Sequence, residues 1–333
     1  MKYFNIVIFC VVLASPLSAD VKEIDVLPAT VRDLTLASPV QQIININKDS
    51  VLSTPILKAE KLLFEPGAKL TISQMPHKVV VIYAEEMLFA APQEGVVIQR
   101  AADWRAPDGI DGSRGTAGRA GIGHPDGRNG QSGGTGDPGA DGQAGDTVGV
   151  PDLYIIAGKI TVQPGQDPSA VRMRIMMPGV AGGDGGAGGP GGAGGAGADG
   201  RAGSWQQFPP KCLRSAGSGG NGGNGGDGGR GGDAAAGSNG GNIFYVGPRS
   251  VTEVLQFSTV RNDGGASGLA GKGGAGGTGG RGGARGARPG NCGGGASGLD
   301  GDAGRDGAPG KEATDGAKGG IFMITLNQFK ELR

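Results

Sequence analysis

Residues 182–195 read Gly182-Gly183-Asp184-Gly185-Gly186-Ala187-Gly188-Gly189-Pro190-Gly191-Gly192-Ala193-Gly194-Gly195, two glycines and one other residue per triplet. A period of three is neither the 3.6 of an α-helix nor the 2 of a strand. It matches polyproline II geometry, which has three residues per turn, a rise of about 3.1 Å and no internal hydrogen bonds. A row of glycines on one face lets another backbone approach closely, so each N–H can reach a neighbouring carbonyl. Weak Cα–H···O contacts add to this. The same two-glycine triplets recur at 219–232 and 273–283.

This stretch belongs to a larger set. Of 73 glycines in 333 residues, all but Gly67 and Gly95 lie within 109–320. A first tract, 109–145, has glycine at every third position except His124. A second has arms at 182–203 and 219–240 around a glycine-poor break at 204–216. A third has arms at 265–286 and 295–319, breaking near 287–292. An arm out, a tip and an arm back make a hairpin. Three hairpins give six rods, each of some twenty residues reaching roughly 60 Å. The arms with two bare faces are expected inside such a bundle and the others at its rim. A collagen triple helix also has period three, but it needs frequent proline and three parallel chains. A disordered linker would escape the entropic cost of fixing glycine, but it would not hold one phase over thirty residues.

Between the tracts runs an apolar repeat. Ile56-Leu57-Lys58-Ala59-Glu60-Lys61-Leu62-Leu63-Phe64 aligns with Val81-Ile82-Tyr83-Ala84-Glu85-Glu86-Met87-Leu88-Phe89 and with a third copy at 154–162. These copies close with short β-prone runs at 70–72, 96–98 and 171–176. A worn fourth copy runs through 243–246 and 254–260, and 321–326 opens a fifth. The turn pairs Pro66-Gly67 and Pro164-Gly165 separate the runs. A constant internal order and a period near 25 residues suit a right-handed β-solenoid better than an antiparallel sandwich. The Gly-rich tracts leave after Arg100, Met177 and Asn262, always between the closing strand of one coil and the opening strand of the next. Stacked coils therefore place all three insertions on one edge.

The formal charge is zero and aromatics are 5%, which points away from nucleic acid and from a large aromatic core. Lys2, the apolar run 4–14 and Leu17-Ser18-Ala19 read as a signal peptide at 1–19, which would remove Cys10. No other segment could span a bilayer. An oxidising destination favours pairing the remaining Cys212 and Cys292. Two free thiols or a bridge to another chain are the alternatives. The cysteines lie in the breaks of the second and third hairpins, so tips of similar height bring them together.

Catalytic and metal signals are poor. His77 and His124 both read as turn residues, and the Asp-Gly pairs do not recur as a calcium repeat. No cofactor is expected. The tips carry more information. Residues 201–216 hold Arg201, Trp205, Phe208, Lys211 and Arg214 without an acid, and 281–292 hold Arg281, Arg285 and Arg288. Arginine with aromatics is enriched at binding hot spots, and basic clusters attract anions. Equally, Trp205 and Phe208 could cap the rod ends and cover the disulfide.

The tracts, with units such as Gly222-Gly223-Asn224-Gly225-Gly226-Asp227, resemble the polyglycine II bundles of the tail-fibre-tip adhesins of T-even-like phages. There, Gly-rich rods carry variable receptor-binding loops. They also resemble the snow flea antifreeze protein, a bundle of six such rods with disulfides. The expected architecture is a short right-handed β-solenoid base, mainly β, with three Gly-rich hairpins forming a six-rod polyglycine II bundle. It divides into a signal peptide at 1–19, coils at 20–108, and the bundle at 109–320 interleaved with strands at 152–177 and 242–262. A closing strand and tail follow at 321–333. The expected function is that of an exported, non-enzymatic, adhesin-like protein, periplasmic, cell-surface or extracellular. It would present Trp205, Phe208, Lys211, Arg214, Arg285 and Arg288 to a polysaccharide or other anionic surface polymer. A structural envelope or matrix protein, with self-association, is the alternative, and ice binding a minor one.

Overall fold

The computed structural model describes residues 23–123, 128–326 and 332. The expected leader at 1–19 and His124 lie outside them. After helix α1 (Ala29–Ala37) come β1 (Gln41–Ile46), β2 (Ser50–Leu52), β3 (Ile56–Phe64), β4 (Lys69–Ile72), β5 (Val79–Phe89) and β6 (Val96–Arg100). Then follow β7 (Asp152–Val162), β8 (Met173–Met176), β9 (Ser204–Gln206), β10 (Lys211–Arg214), β11 (Ile243–Gly247), helix α2 (Arg249–Leu255), β12 (Thr259–Arg261) and β13 (Ile321–Thr325). The fold is mainly β. One parallel sheet has the order β1-β3-β5-β7-β11-β13 and the other β2-β4-β6-β8-β12.

The repeat read from the sequence is the register of the first sheet. Ile56 pairs with Val81 and Val81 with Tyr154, while Phe64 pairs with Phe89 and Phe89 with Val162. Like therefore stacks on like, and the Phe64 and Phe89 rings lie 4.9 Å apart. Pairing skips Glu60, Glu85 and Gly158, which divides β3, β5 and β7 into two halves. Gly67, Gly95 and Gly165 take φ of 65°, 75° and 85° at the turns between runs, a region costly for other residues.

The core fills the space between the sheets. Leu62, Ile82, Met87, Ile98, Ile155 and Ile175 are all fully buried there. Each such side chain contributes about 1.5–3 kcal/mol. A second cluster covers the outer side of the first halves, where Leu27 and Val31 meet Val81, Tyr154, Ile156, Val246, Leu326 and Leu332. Lys58 ties α1 down by donating to Thr35 O (2.6 Å) and Ser38 O (3.1 Å). These carbonyls end the helix and lack intrahelical partners. Burial pushes the Lys58 ammonium below its ordinary range, opposed by Glu85.

In the sheets one expectation needs correction. Residues 254–260 were expected to form a closing strand, but Val254 and Leu255 finish α2, and the strand is confined to β12. Pro248 stands at the helix N-cap, and burial of Val251, Thr252 and Leu255 along one face stabilises the helix. The first rung, β1 with β2, lies upstream of the first copy of the repeat and escaped it. Most of β1 is exposed and keeps no apolar alternation.

The Gly-rich chain contains six described segments: I (109–121), II (130–145), III (179–203), IV (217–240), V (264–286) and VI (295–319). They hydrogen-bond laterally every third residue. Glycines of I donate to III (Gly109 to Asp184 O, 2.7 Å), and those of III to V (Gly179 to Asp263 O, 2.7 Å). Glycines of II donate to IV, and those of IV to VI. These neighbours run parallel. Antiparallel bonds join II to I, III to II, IV to III, V to IV and VI to V, as in Gly226 N–H to Gly192 O at 2.8 Å.

The ladders are continuous with the sheets. β8 and β12 pair through Met176 and Arg261. Met177 then donates to Arg261 O (2.9 Å), and Gly179 to Asp263 O (2.7 Å).

Of the segments with two glycines per triplet, III bonds I, II, IV and V, and IV bonds II, III, V and VI, so both lie inside. Segment V does not: it bonds III, IV and VI and lies at an edge. Its second glycine row is needed because the backbone of VI crosses there, as at Gly276 against Gly304.

Asp and Asn side chains accept further N–H groups, mostly at non-glycine positions. Asp184 accepts from Leu269 N–H (2.7 Å), Asn221 from Leu299 (3.0 Å), Asp227 from Arg305 (2.7 Å) and Asp233 from Lys311 (2.8 Å).

A Cβ at Gly226 would overlap the Asp137 carbonyl oxygen. Gly226→Ala should therefore cost about 3 kcal/mol or more. Ala308→Gly, at an exposed position, should cost about 1 kcal/mol or less. Thermal or denaturant unfolding checks both. The Asp233 carboxyl is held below its usual range, first by the Lys311 N–H and then by Arg230 and Lys311 charge. A depressed folded pKa gives stability that is present above the unfolded value and is lost as pH falls through the folded one. Asp233→Asn, which keeps an acceptor, should reduce the loss of stability on acidification, measured as melting temperature against pH.

Candidate functional site

The break between III and IV folds as a small antiparallel hairpin. Lys211 pairs with Gln206, Cys212 with Trp205 and Arg214 with Ser204. Pro209 and Pro210 occupy its turn, where Gln206 Nε2 donates to Phe208 O at 2.7 Å. The hairpin is fastened to the neighbouring tip. Gly203 N–H donates to Ala287 O (2.8 Å) and Ala216 N–H to Gly293 O (3.1 Å). Cys212 and Cys292 are disulfide-bonded, with Cα atoms 5.1 Å apart. The pairing expected from tip height is therefore present.

The six tip residues separate by environment. Trp205 is half-buried, its indole lying on Gly290 at φ 56°. Any side chain at 290 would enter the ring, so Trp205 acts as the lid that joins the two tips. Arg214 is half-buried, and its Nε is enclosed without a hydrogen-bond partner. Arg288 is exposed, but one guanidinium nitrogen donates to Gly295 O. Phe208 (81% exposed), Lys211 and Arg285 face solvent.

Two residues not singled out from the sequence join them. Leu213, beside Lys211 on β10, is 57% exposed. The Arg128 carbonyl lies at the level of Arg201 and Gly286: Arg201 N–H donates to Arg128 O (2.9 Å), and Gly286 faces Arg201 O. The triplet phase alone could have identified Arg128, since it holds the place in II that Arg201 holds in III. Asp199 is the nearby acid, and its Oδ1 accepts from Ala284 N–H at 2.7 Å. The tip residues thus include exposed apolar side chains at Phe208 and Leu213 and exposed cationic ones at Lys211, Arg285 and Arg288, which suits a ligand that is both anionic and partly apolar.

At the roots of the segments, Met75, His77, Lys78, Val148 and Val150 line an open cleft of about 710 Å³. Asp152 in its wall is held by Asn242, whose Nδ2 donates to it at 2.9 Å. Among the described residues no three His, Cys, Asp or Glu side chains converge as metal ligands would. No helix among them is long and apolar enough to cross a membrane.

The disulfide closes a sequence separation of 80 residues. Loop-closure entropy makes that worth about 4–5 kcal/mol. Cys212→Ser with Cys292→Ser should lower stability by that order. It should also raise amide exchange at 204–214 far more than in the middle of III and IV, read by hydrogen-exchange mass spectrometry. Comparison of the chain with protein-family models, characterised proteins and solved structures finds no match.

Proposed function

We propose that this is an exported, non-enzymatic, adhesin-like binding protein that engages an anionic polysaccharide or other surface polymer through its tip. In this reading the two parallel sheets are faces of a short right-handed β-solenoid. The six Gly-rich segments are polyglycine II rods in three hairpins that stand on one edge of it and carry the tip outward. The leader at 1–19 directs the chain to an oxidising compartment, periplasmic, cell-surface or extracellular, where the disulfide forms.

The observation that carries the reading is Phe208. It is a large aromatic left 81% exposed on a hairpin immobilised by a disulfide, a tryptophan lid and backbone bonds. A rigid aromatic anchor beside cationic side chains loses little entropy on binding. Trp205 supports the platform rather than the ligand, and Arg214 and Arg288 contribute to both.

Binding should be measured on a polysaccharide array spanning anionic and neutral polymers. Phe208→Ala, Lys211→Ala and Arg285→Ala combined should weaken binding by about tenfold or more, equivalent to ~1.4 kcal/mol. Rising salt should weaken the native protein. If the native protein binds no polymer, or the triple variant binds as well as the native one, the reading fails.

A further inference from the structure

The parallel stack has two free ends, and they are stepped in opposite senses. At one end β1 and β2 form the outermost rung. β1 pairs with β3 at Gln41–Ala59 and then from Ile43–Lys61 onward. Among the described residues, no strand lies outside the start of β3, Ile56 to Lys58. At the other end β13 adds a rung over β11, whereas β12 is already the outermost strand of its sheet. Each end is one rung long on the side where the other is one rung short.

The end strands β1, β2 and β13 lack the charged side chains or proline that sheet edges normally carry, whereas β12 ends in Arg261 and α2 packs on β7 and β11. β1 (Gln-Gln-Ile-Ile-Asn-Ile), β2 (Ser-Val-Leu) and β13 (Ile-Phe-Met-Ile-Thr) contain no charge. Ile321, Phe322 and Met323 are 49%, 46% and 48% exposed, and Val51 is 63% exposed. α1 packs on β3 and β5. α1, Leu326 and Leu332 pack on the outer side of the first halves.

We propose that the two ends dock head to tail on successive copies of this chain. β1 and β2 of one copy complete the rung begun by β13 of the other. The start of β3 then adds over β13, β2 adds over β12, and β1 lies over α2. The registers fix which residues meet. Ile56, Val81, Tyr154, Phe244 and Phe322 form one column. Its aromatic rings stack at 4.3 Å and 4.8 Å and end open at Phe322. Ile56 of the next copy continues it.

In the other sheet Val51, Thr71, Gln99, Met176 and Arg261 form a column, so Val51 lands on exposed Arg261. Bonded neighbours in the Gly-rich region follow the rung spacing of about 4.8 Å. The first two rungs carry no Gly-rich segment. Segments V and VI of one copy therefore stand about 14 Å, or three rungs, from I and II of the next. A head-to-tail contact does not close on itself, so the product is an open filament with the tips in a spaced row. This assembly stands apart from the tip's ligand, and its test needs none.

The test is the mass of the purified protein across concentration, by light scattering or sedimentation. The native mass should rise progressively past the dimer. Val51→Glu should strengthen association and Val51→Lys weaken it, each by roughly two- to fivefold. Adding Arg261→Glu to Val51→Lys should restore it. Val51 is exposed, so neither variant disturbs the core. A monomer at every concentration, a product that stops at the dimer, or equal effects of Val51→Glu and Val51→Lys would each overturn the proposal.

Discussion

A backbone with no internal hydrogen bonds must place every buried N–H and C=O on a neighbour. That constraint governs the Gly-rich two-fifths of this chain, and the parallel sheets supply the neighbours. Segments III and V depart from β8 and β12 at the spacing those strands already have. Segments IV and VI arrive at β11 and β13 in the same way, with Ile243 N–H still bonded to Gly320 O at 3.0 Å. The sheets thus set the register of the first lateral bonds, and each later triplet inherits it. Without that start, six glycine-rich strands would have to find one another from disorder, against about 1–2 kcal/mol of backbone entropy per residue.

The other residues of each triplet have a division of labour that composition alone obscures. Glycine serves approach, since its bare face is where the next backbone lies. Asp and Asn serve satisfaction, because the outward N–H has no carbonyl at that height. Asp227 and Asn224 do the same work, accepting from Arg305 and Asp302 at 2.7 Å and 2.9 Å. Among the described residues, Asp108, Asp111, Asp141, Asp184 and Asp227 of the Asp-Gly pairs that raise the question of calcium accept from the chain's own amides.

What the sequence disclosed follows the same physics. The repeat through Ala59, Ala84 and Ala157 is legible because parallel stacking places equivalent residues on top of each other, so register equals alignment. The Gly-rich tracts are legible because close approach tolerates no side chain in phase. Less was visible where neither rule applies. β1 is an edge and keeps no alternation. α2 replaces a strand because Pro248 and the buried spacing of Val251 and Leu255 favour a helix locally. The role of segment V could not be read from its glycines, since two bare faces are compatible with an interior place or with an edge crossed by one more segment. At the tip the residue types were visible and capping by Trp205 was one of two readings, but the sequence did not choose it or name Gly290 as the surface it covers.

The free edges of the molecule differ in how they end. In III the N–H of Gly179 and its successors goes to V. The corresponding row of V would recruit a further segment, but VI fills part of it with carboxylates: Asp315 accepts from Ser267 (2.8 Å), Asp306 from Gly276 (2.8 Å) and Asp300 from Gly282 (2.7 Å). A neighbour seeking to add there would have to displace charged acceptors, which costs more than displacing water. The end strands β1, β2 and β13 carry no charge, and β13 offers Phe322, 46% exposed. Addition at the base is thereby favoured over lateral addition along the Gly-rich segments. The faces and tips of those segments stay free for contact with something other than the chain itself.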